Sequence, residues 1–171
     1  MIPQLLPGDI FCVRSAGVVG LLIRAVQWFH SRDGEATYNH SGIITSPEGD
    51  ILEAHWQIRQ ASIWQYEGKQ ILIGRHKALT TGRYRRAISA IKYKYLGRPY
   101  PVWRIAMHLV PFLAKFGSLR RHGVCSEITA EFAYLIGARH GLWPGTTPDI
   151  LADEIRTWRT WQVVHEGRLE K

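Results

Sequence analysis

Only two of the 171 residues are cysteine, Cys12 and Cys125, so the chain carries at most one bridge and a disulfide framework is excluded. Acidic residues are missing from Thr81 to Cys125, a stretch that holds 10 Lys and Arg. No apolar run reaches the roughly 20 residues that a membrane-spanning helix needs. The two most apolar windows, Ala16 to Phe29 and Val102 to Phe116, are broken by Arg24 and by Arg104, His108, Pro111 and Lys115. Each reads as a core helix, with a helix lying on a membrane surface as the other reading. The first residues show no basic n-region, apolar h-region or small-residue cleavage site, which reads as cytoplasmic synthesis without a signal peptide; the site of action stays open. Repeats and low-complexity linkers are also missing, and neither His-Glu-x-x-His nor Cys-x-x-Cys occurs among the eight His and two Cys. We therefore expect no metal and no cofactor.

What is present suits one globular domain over residues 1–171. Hydrophobic residues make up 46% of the chain, with seven Trp, seven Tyr and five Phe, enough to bury a core and too many for a disordered tail. The net charge of +8 comes from the middle third, because the flanking parts hold 7 basic with 7 acidic and 5 basic with 7 acidic residues. A helix over Arg83 to Leu96 buries Tyr84, Ala87, Ile88, Ile91 and Tyr95 at helical spacing. Off that stripe, Arg83, Arg86, Lys92 and Lys94 offer a footing to an anionic surface; a solvated helix face is the plainer reading. No obligate protein partner is implied.

The most informative local pattern is Tyr38-Asn39-His40-Ser41-Gly42-Ile43-Ile44-Thr45, Ser46-Pro47-Glu48-Gly49, then Asp50-Ile51-Leu52-Glu53-Ala54-His55. Alternating β-prone residues flank a turn with Pro second and Gly fourth, which predicts a β-hairpin. With Ser46 and Gly49 closing the turn, His40 lies opposite His55, and Glu53 falls on the same face one diagonal step away, about 7 Å between backbones. A slip of one residue would turn Glu53 to the other face. A first strand is expected over Ile10 to Arg14, others near Ala61 to Gln65, Gln70 to Arg75 and Trp158 to His165. Helices are expected over Ala16 to Phe29, from Cys125 to a C-terminal Gly137, and from Pro148, capped by Thr147, to about Arg156.

Cys125 would open its helix. A thiol there meets partial positive charge and free N–H groups, which favour the thiolate and can also hold a developing oxyanion. With His40 as base and Glu53 orienting the imidazole, the set follows the Cys-His-acid logic of acyl-group hydrolysis. The plainer readings are a small buried core Cys, a satisfied strand His and a solvent-facing carboxylate. Cys12, among Ile10, Phe11 and Val13, reads as core. Tyr38 beside the His strand and His122 before Cys125 are placed to line the site, and suit an aromatic anchor and a loop residue as well.

Pro7-Gly8-Asp9-Ile10, Asn39-His40-Ser41-Gly42-Ile43, Ile51-Leu52-Glu53-Ala54, Gly97-Arg98-Pro99-Tyr100 and Val124-Cys125-Ser126-Glu127 resemble the signature blocks of the circularly permuted papain-like hydrolases, NlpC-like proteins of the bacterial YiiX-like type. That type is distantly similar to lecithin:retinol acyltransferase. The blocks follow the family's order over most of the chain, with His first and Cys last, whereas ordinary papain-like enzymes begin with Cys. The resemblance implies an α+β fold, a small antiparallel sheet packed against helices with the Cys at a helix N-terminus. It also implies Cys125 as nucleophile, His40 as base and Glu53 as third polar residue. The turn at Ser46 to Gly49 is a residue longer than is usual, which leaves His55 as a rival third member and otherwise a residue facing substrate.

Three functions compete. A cysteine hydrolase would cleave an amide or ester in cell-wall or other peptides through a thioester. A lipid acyltransferase or hydrolase of the same fold would work on acyl lipids at a membrane through the basic middle third. A non-catalytic module would bind nucleic acid through the basic helix and its tyrosines, leaving the His, Glu and Cys blocks without a role.

Overall fold

The computed structural model describes residues 4–15, 37–55, 57–78, 81–99, 125–141 and 146–171. Six strands form one antiparallel sheet in the order β4-β3-β2-β1-β5-β6. They are β1 (Ile10–Val13), β2 (His40–Ile44), β3 (Asp50–Ala54), β4 (Ile58–Ser62), β5 (Gln70–His76) and β6 (Trp161–Arg168). Among the described residues three helices accompany the sheet: α1 (Thr81–Tyr95), α2 (Cys125–Leu135) and α3 (Pro148–Thr157). The protein is therefore α+β. None of these helices is long and apolar enough to cross a membrane. The expected helix over Ala16 to Phe29 and the segment from Tyr100 to Phe116 lie outside the described residues.

The central strands are buried on both faces, which explains their unbroken apolar runs. Ile10, Cys12, Ile43, Leu52 and Leu72 face α2 and α3, meeting Ile128, Phe132, Leu151 and Ile155. Phe11, Val13, Ile44, Ile51, Ile71 and Ile73 form a second cluster with Leu5, Ile63, Tyr66 and Leu169. Cys12 is fully buried, and both cysteines are free thiols.

Local chemistry sets the element ends. Gly49, at φ 96°, donates to the Ser46 carbonyl at 3.2 Å, and Thr45 donates to the Asp50 carbonyl at 2.7 Å, closing the hairpin as the sequence predicts. Gly42 consequently pairs with Glu53. Gly137, at φ 76°, ends α2 by donating to Tyr134 while Ala138 donates to Ala133, the paired bonds of a Schellman cap. Thr147 Oγ1 accepts from Ile150 N at 3.2 Å, and Pro148 starts α3.

Two strands differ from expectation. The strand expected near Ala61 to Gln65 lies earlier, at Ile58–Ser62, because Ser62 Oγ accepts from Trp64 N and opens a 3-10 turn over Ile63–Tyr66. The last strand begins at Trp161, three residues later than expected, because Trp158 N–H still bonds Glu154 and Trp161 N then turns back to the Trp158 carbonyl. Four cations of α1 have partners within the protein. Arg83 donates to the Ile136 carbonyl at 3.1 Å, Arg86 to Gly82, Lys92 to Gln60, and Lys94 to Glu131 at 2.6 Å.

Gly42 is required by space. A Cβ there would lie 2.7 Å from two atoms of the Phe11 ring and 2.8 Å from the Leu52 carbonyl oxygen. One neighbour is main chain, so the strain cannot be relieved by a rotamer change alone. Gly42→Ala is expected to cost about 1–3 kcal/mol in urea unfolding. An unchanged midpoint would show that the Phe11 ring and the Leu52 main chain both give way freely.

Candidate active site

β2 and α2 bring the pieces together. Asn39 anchors the entry to β2, accepting from Ser15 N and Oγ at 2.7 and 2.9 Å and donating back to the Ser15 carbonyl. On α2, Thr129 Oγ1 donates to the Cys125 carbonyl at 2.9 Å and lies 3.3 Å from Ser41 Oγ. Ser126 Oγ donates to the Thr146 carbonyl at 2.6 Å. The first turn of α2 is thereby fixed against the start of β2.

The β2–β3 ladder stops at Gly42 and Glu53. Ile44 N donates toward β1, to Asp9, so alternation turns the Ser41 N–H to the β3 side. There it donates to Cys125 Sγ, as does the N–H of Ser126 at the helix start. His40, the first residue of β2, hydrogen-bonds Cys125 with one side of its ring. Its Nε2 lies 2.9 Å from Glu53 Oε2, so the ring sits between the carboxylate and the thiol it interacts with. The imidazole is braced by the rings of Phe11 and Tyr66, with centroids at 6.3 and 5.9 Å. His40, Glu53 and Cys125 are 8, 2 and 4% exposed, so their charges act in a largely water-free setting.

Glu53 is a hub. Its Oε1 accepts from Arg59 Nε and Nη2 at 2.9 and 2.7 Å and from Gln65 Nε2 at 3.0 Å, and its Oε2 accepts from Tyr66 OH at 2.6 Å. Burial pushes this carboxyl up, but the hydrogen bond and charge of His40, with Tyr66 and Arg59, outweigh it and hold the group down at about 2. Burial disfavours the His40 cation, yet its bonds to Cys125 and Glu53 raise the imidazole to about 9. Burial also raises the Cys125 thiol, and His40 and the two N–H groups reverse this, leaving it below its ordinary value. Both shifts run in the direction of a thiolate beside an imidazolium. Cys12 differs, since burial, with no such donors, pushes its thiol well up.

Of the residues picked out from sequence, Cys125, His40 and Glu53 come together. His55 is exposed and close enough to feel Arg59, Glu53 and His40, but Glu53 holds the hydrogen bond to the ring. Tyr38 does not line the site. Its ring is wholly buried, its main-chain N–H bonds Asp149 at 2.8 Å and its hydroxyl faces Glu166 at 3.3 Å, so it serves the core. Burial and Glu166 together push that phenol up to about 12. His122 lies outside the described residues. Sequence reasoning missed Arg59, Gln65 and Tyr66. A correct register for β4 would have revealed the first, because Arg59 pairs directly with Glu53.

No family model and no curated protein matches the chain. The fold is similar to the crystal structure of the metalloprotein YiiX from Escherichia coli O157:H7, with a TM-score of 0.56 over 98% of this chain and 89% of that one. The two are 17% identical, so the likeness speaks for the fold alone.

Proposed function

We propose that this protein is a cysteine hydrolase of the permuted papain-like, NlpC-like type, cleaving an amide or ester through a thioester, with peptides, cell-wall peptides included, as the substrate class. The observation that carries this reading is buried His40, whose Nε2 bonds Glu53 and whose ring interacts with Cys125 at the start of α2. Fold likeness to YiiX supports it at the level of architecture.

In the proposed reaction Cys125 Sγ attacks the carbonyl carbon, whose oxygen takes the negative charge. His40 passes its proton to the departing amine or alcohol, and the C–N or C–O bond breaks to leave a thioester. Water then attacks while His40 takes its proton, and collapse of the second tetrahedral adduct returns the acid product and the thiolate. Glu53 keeps the ring oriented and favours its charged form.

YiiX is a metalloprotein, which raises the question of a metal in this chain. The described residues do not fit one. No group of three or more His, Cys, Asp or Glu is disposed around a common point, and both Glu53 oxygens are already occupied by N–H and O–H donors. No step of the reaction runs through a metal.

The test is intact-protein mass spectrometry after mixing with purified peptidoglycan fragments and a panel of peptide and acyl-lipid esters. We expect hydrolysis together with a transient acyl adduct that maps to Cys125. Turnover of lipid esters alone would redirect the reading to a lipid enzyme, and inertness toward the whole panel would count against a hydrolase.

A further inference from the structure

We infer that Arg59 and Tyr66 are positioning residues that compete with His40 for the Glu53 carboxylate and so limit how tightly the imidazole holds its proton. The inference rests on the Cys125–His40–Glu53 reading proposed above. A carboxylate offers about four acceptor sites, and five N–H and O–H groups converge on this one. Tyr66 OH ends on Oε2, the oxygen that holds His40, and its 2.6 Å bond is shorter than the 2.9 Å bond from the ring. Arg59 lies on Oε1 through two nitrogens and brings a full positive charge to a side chain that is otherwise fully enclosed.

Among the described residues the titratable groups facing His40 are Cys125 from α2, Glu53 from β3, His55 just beyond it, Tyr66 from the 3-10 turn, and Arg59 behind Glu53 from β4. Among them only Glu53 and the thiolate stabilise the imidazolium. An uncompensated carboxylate at 2.9 Å in a dry site would bind the ring proton strongly. A group that must return its proton to a leaving atom works best when its affinity lies near the working pH. Arg59 and Tyr66 draw charge from Glu53 and moderate its pull, while still fixing its position.

The experiment is an NMR titration of the His40 ring in the full chain, wild type against Tyr66→Phe, Arg59→Met and Arg59→Lys, without substrate. Tyr66→Phe removes one oxygen atom, and Arg59 is 37% exposed at its side chain, so both sites tolerate change. The midpoint is expected to move about 0.5–1 pH unit to the alkaline side in Tyr66→Phe and in Arg59→Met, and to stay near wild type in Arg59→Lys. A merely structural role would lower the melting temperature without that alkaline movement. An unmoved or acid-shifted midpoint in Tyr66→Phe overturns the role of Tyr66, and the same result in Arg59→Met overturns that of Arg59. Because substrate is absent, an alkaline shift in a protein that hydrolyses nothing would sink the hydrolase and keep this inference. A hydrolase whose His40 ignores both changes would do the reverse.

Discussion

Cys125→Ala is expected to lower turnover of a cleavable acyl substrate by roughly 10⁴-fold or more, with His40→Ala close behind and the double variant no worse than either. The lack of additivity follows from the geometry. Without His40 the thiol loses the partner that offsets its burial, and without Cys125 the imidazole has no nucleophile to serve. The same pair fixes the pH window. The thiolate–imidazolium form requires a pH above the lowered titration of Cys125 and below that of His40 at about 9. Alkylation of Cys125 by iodoacetamide should therefore persist well below the ordinary thiol range, while Cys12, wholly buried and without such donors, resists it. In His40→Ala the Cys125 profile should move toward higher pH, read peptide by peptide in a mass spectrometer. Equal labelling of the two thiols, indifferent to His40, would leave Cys125 an ordinary buried residue.

The parts of this site that were legible in the sequence are those specified by short-range rules. Pro47 and Gly49 set the hairpin, the hairpin sets the register, and the register carries Glu53 to the face of His40. Thr147 with Pro148 and Gly137 with its cap bonds mark helix ends in the same local way. What escaped depends on pairings between distant segments or on competing local bonds. Ser62 looks like a strand residue by its neighbours, yet its hydroxyl captures Trp64 N and ends the strand. That single cap moves β4 back by three residues and brings Arg59 opposite Glu53. Tyr38 misled for a related reason. Its place two residues before His40 suggested the site, but Asp149, 111 residues later, binds its main chain and draws the ring into the core.

Glu53→Ala should cost about 3–5 kcal/mol in urea unfolding at neutral pH, because it strands Arg59, Gln65, Tyr66 and His40 around a buried gap. Glu53→Gln should fall between, since its amide oxygen can still accept on one side while its NH2 meets donors on the other. The pH dependence separates charge from packing. A carboxyl at about 2 in the folded chain and 4.5 as its reference contributes stability that is fully present above 4.5 and lost as pH falls toward 2. The size is roughly 3 kcal/mol at about 1.4 kcal/mol per pH unit. His40 has the opposite sign: raised from 6.5 to about 9, it contributes stability present below 6.5 and lost as pH rises through 9. In Glu53→Ala the acid-side loss should disappear, while the alkaline loss shrinks to the share that Cys125 supplies. Urea midpoints on the acid side, through neutrality and on the alkaline side of the His40 titration at about 9, for wild type and both variants, read all of this. If Glu53→Ala unfolds near the wild-type midpoint and keeps its acid dependence, the carboxylate is not the ionised centre of the site, and the orientation of His40 must come from Cys125 and the aromatic neighbours.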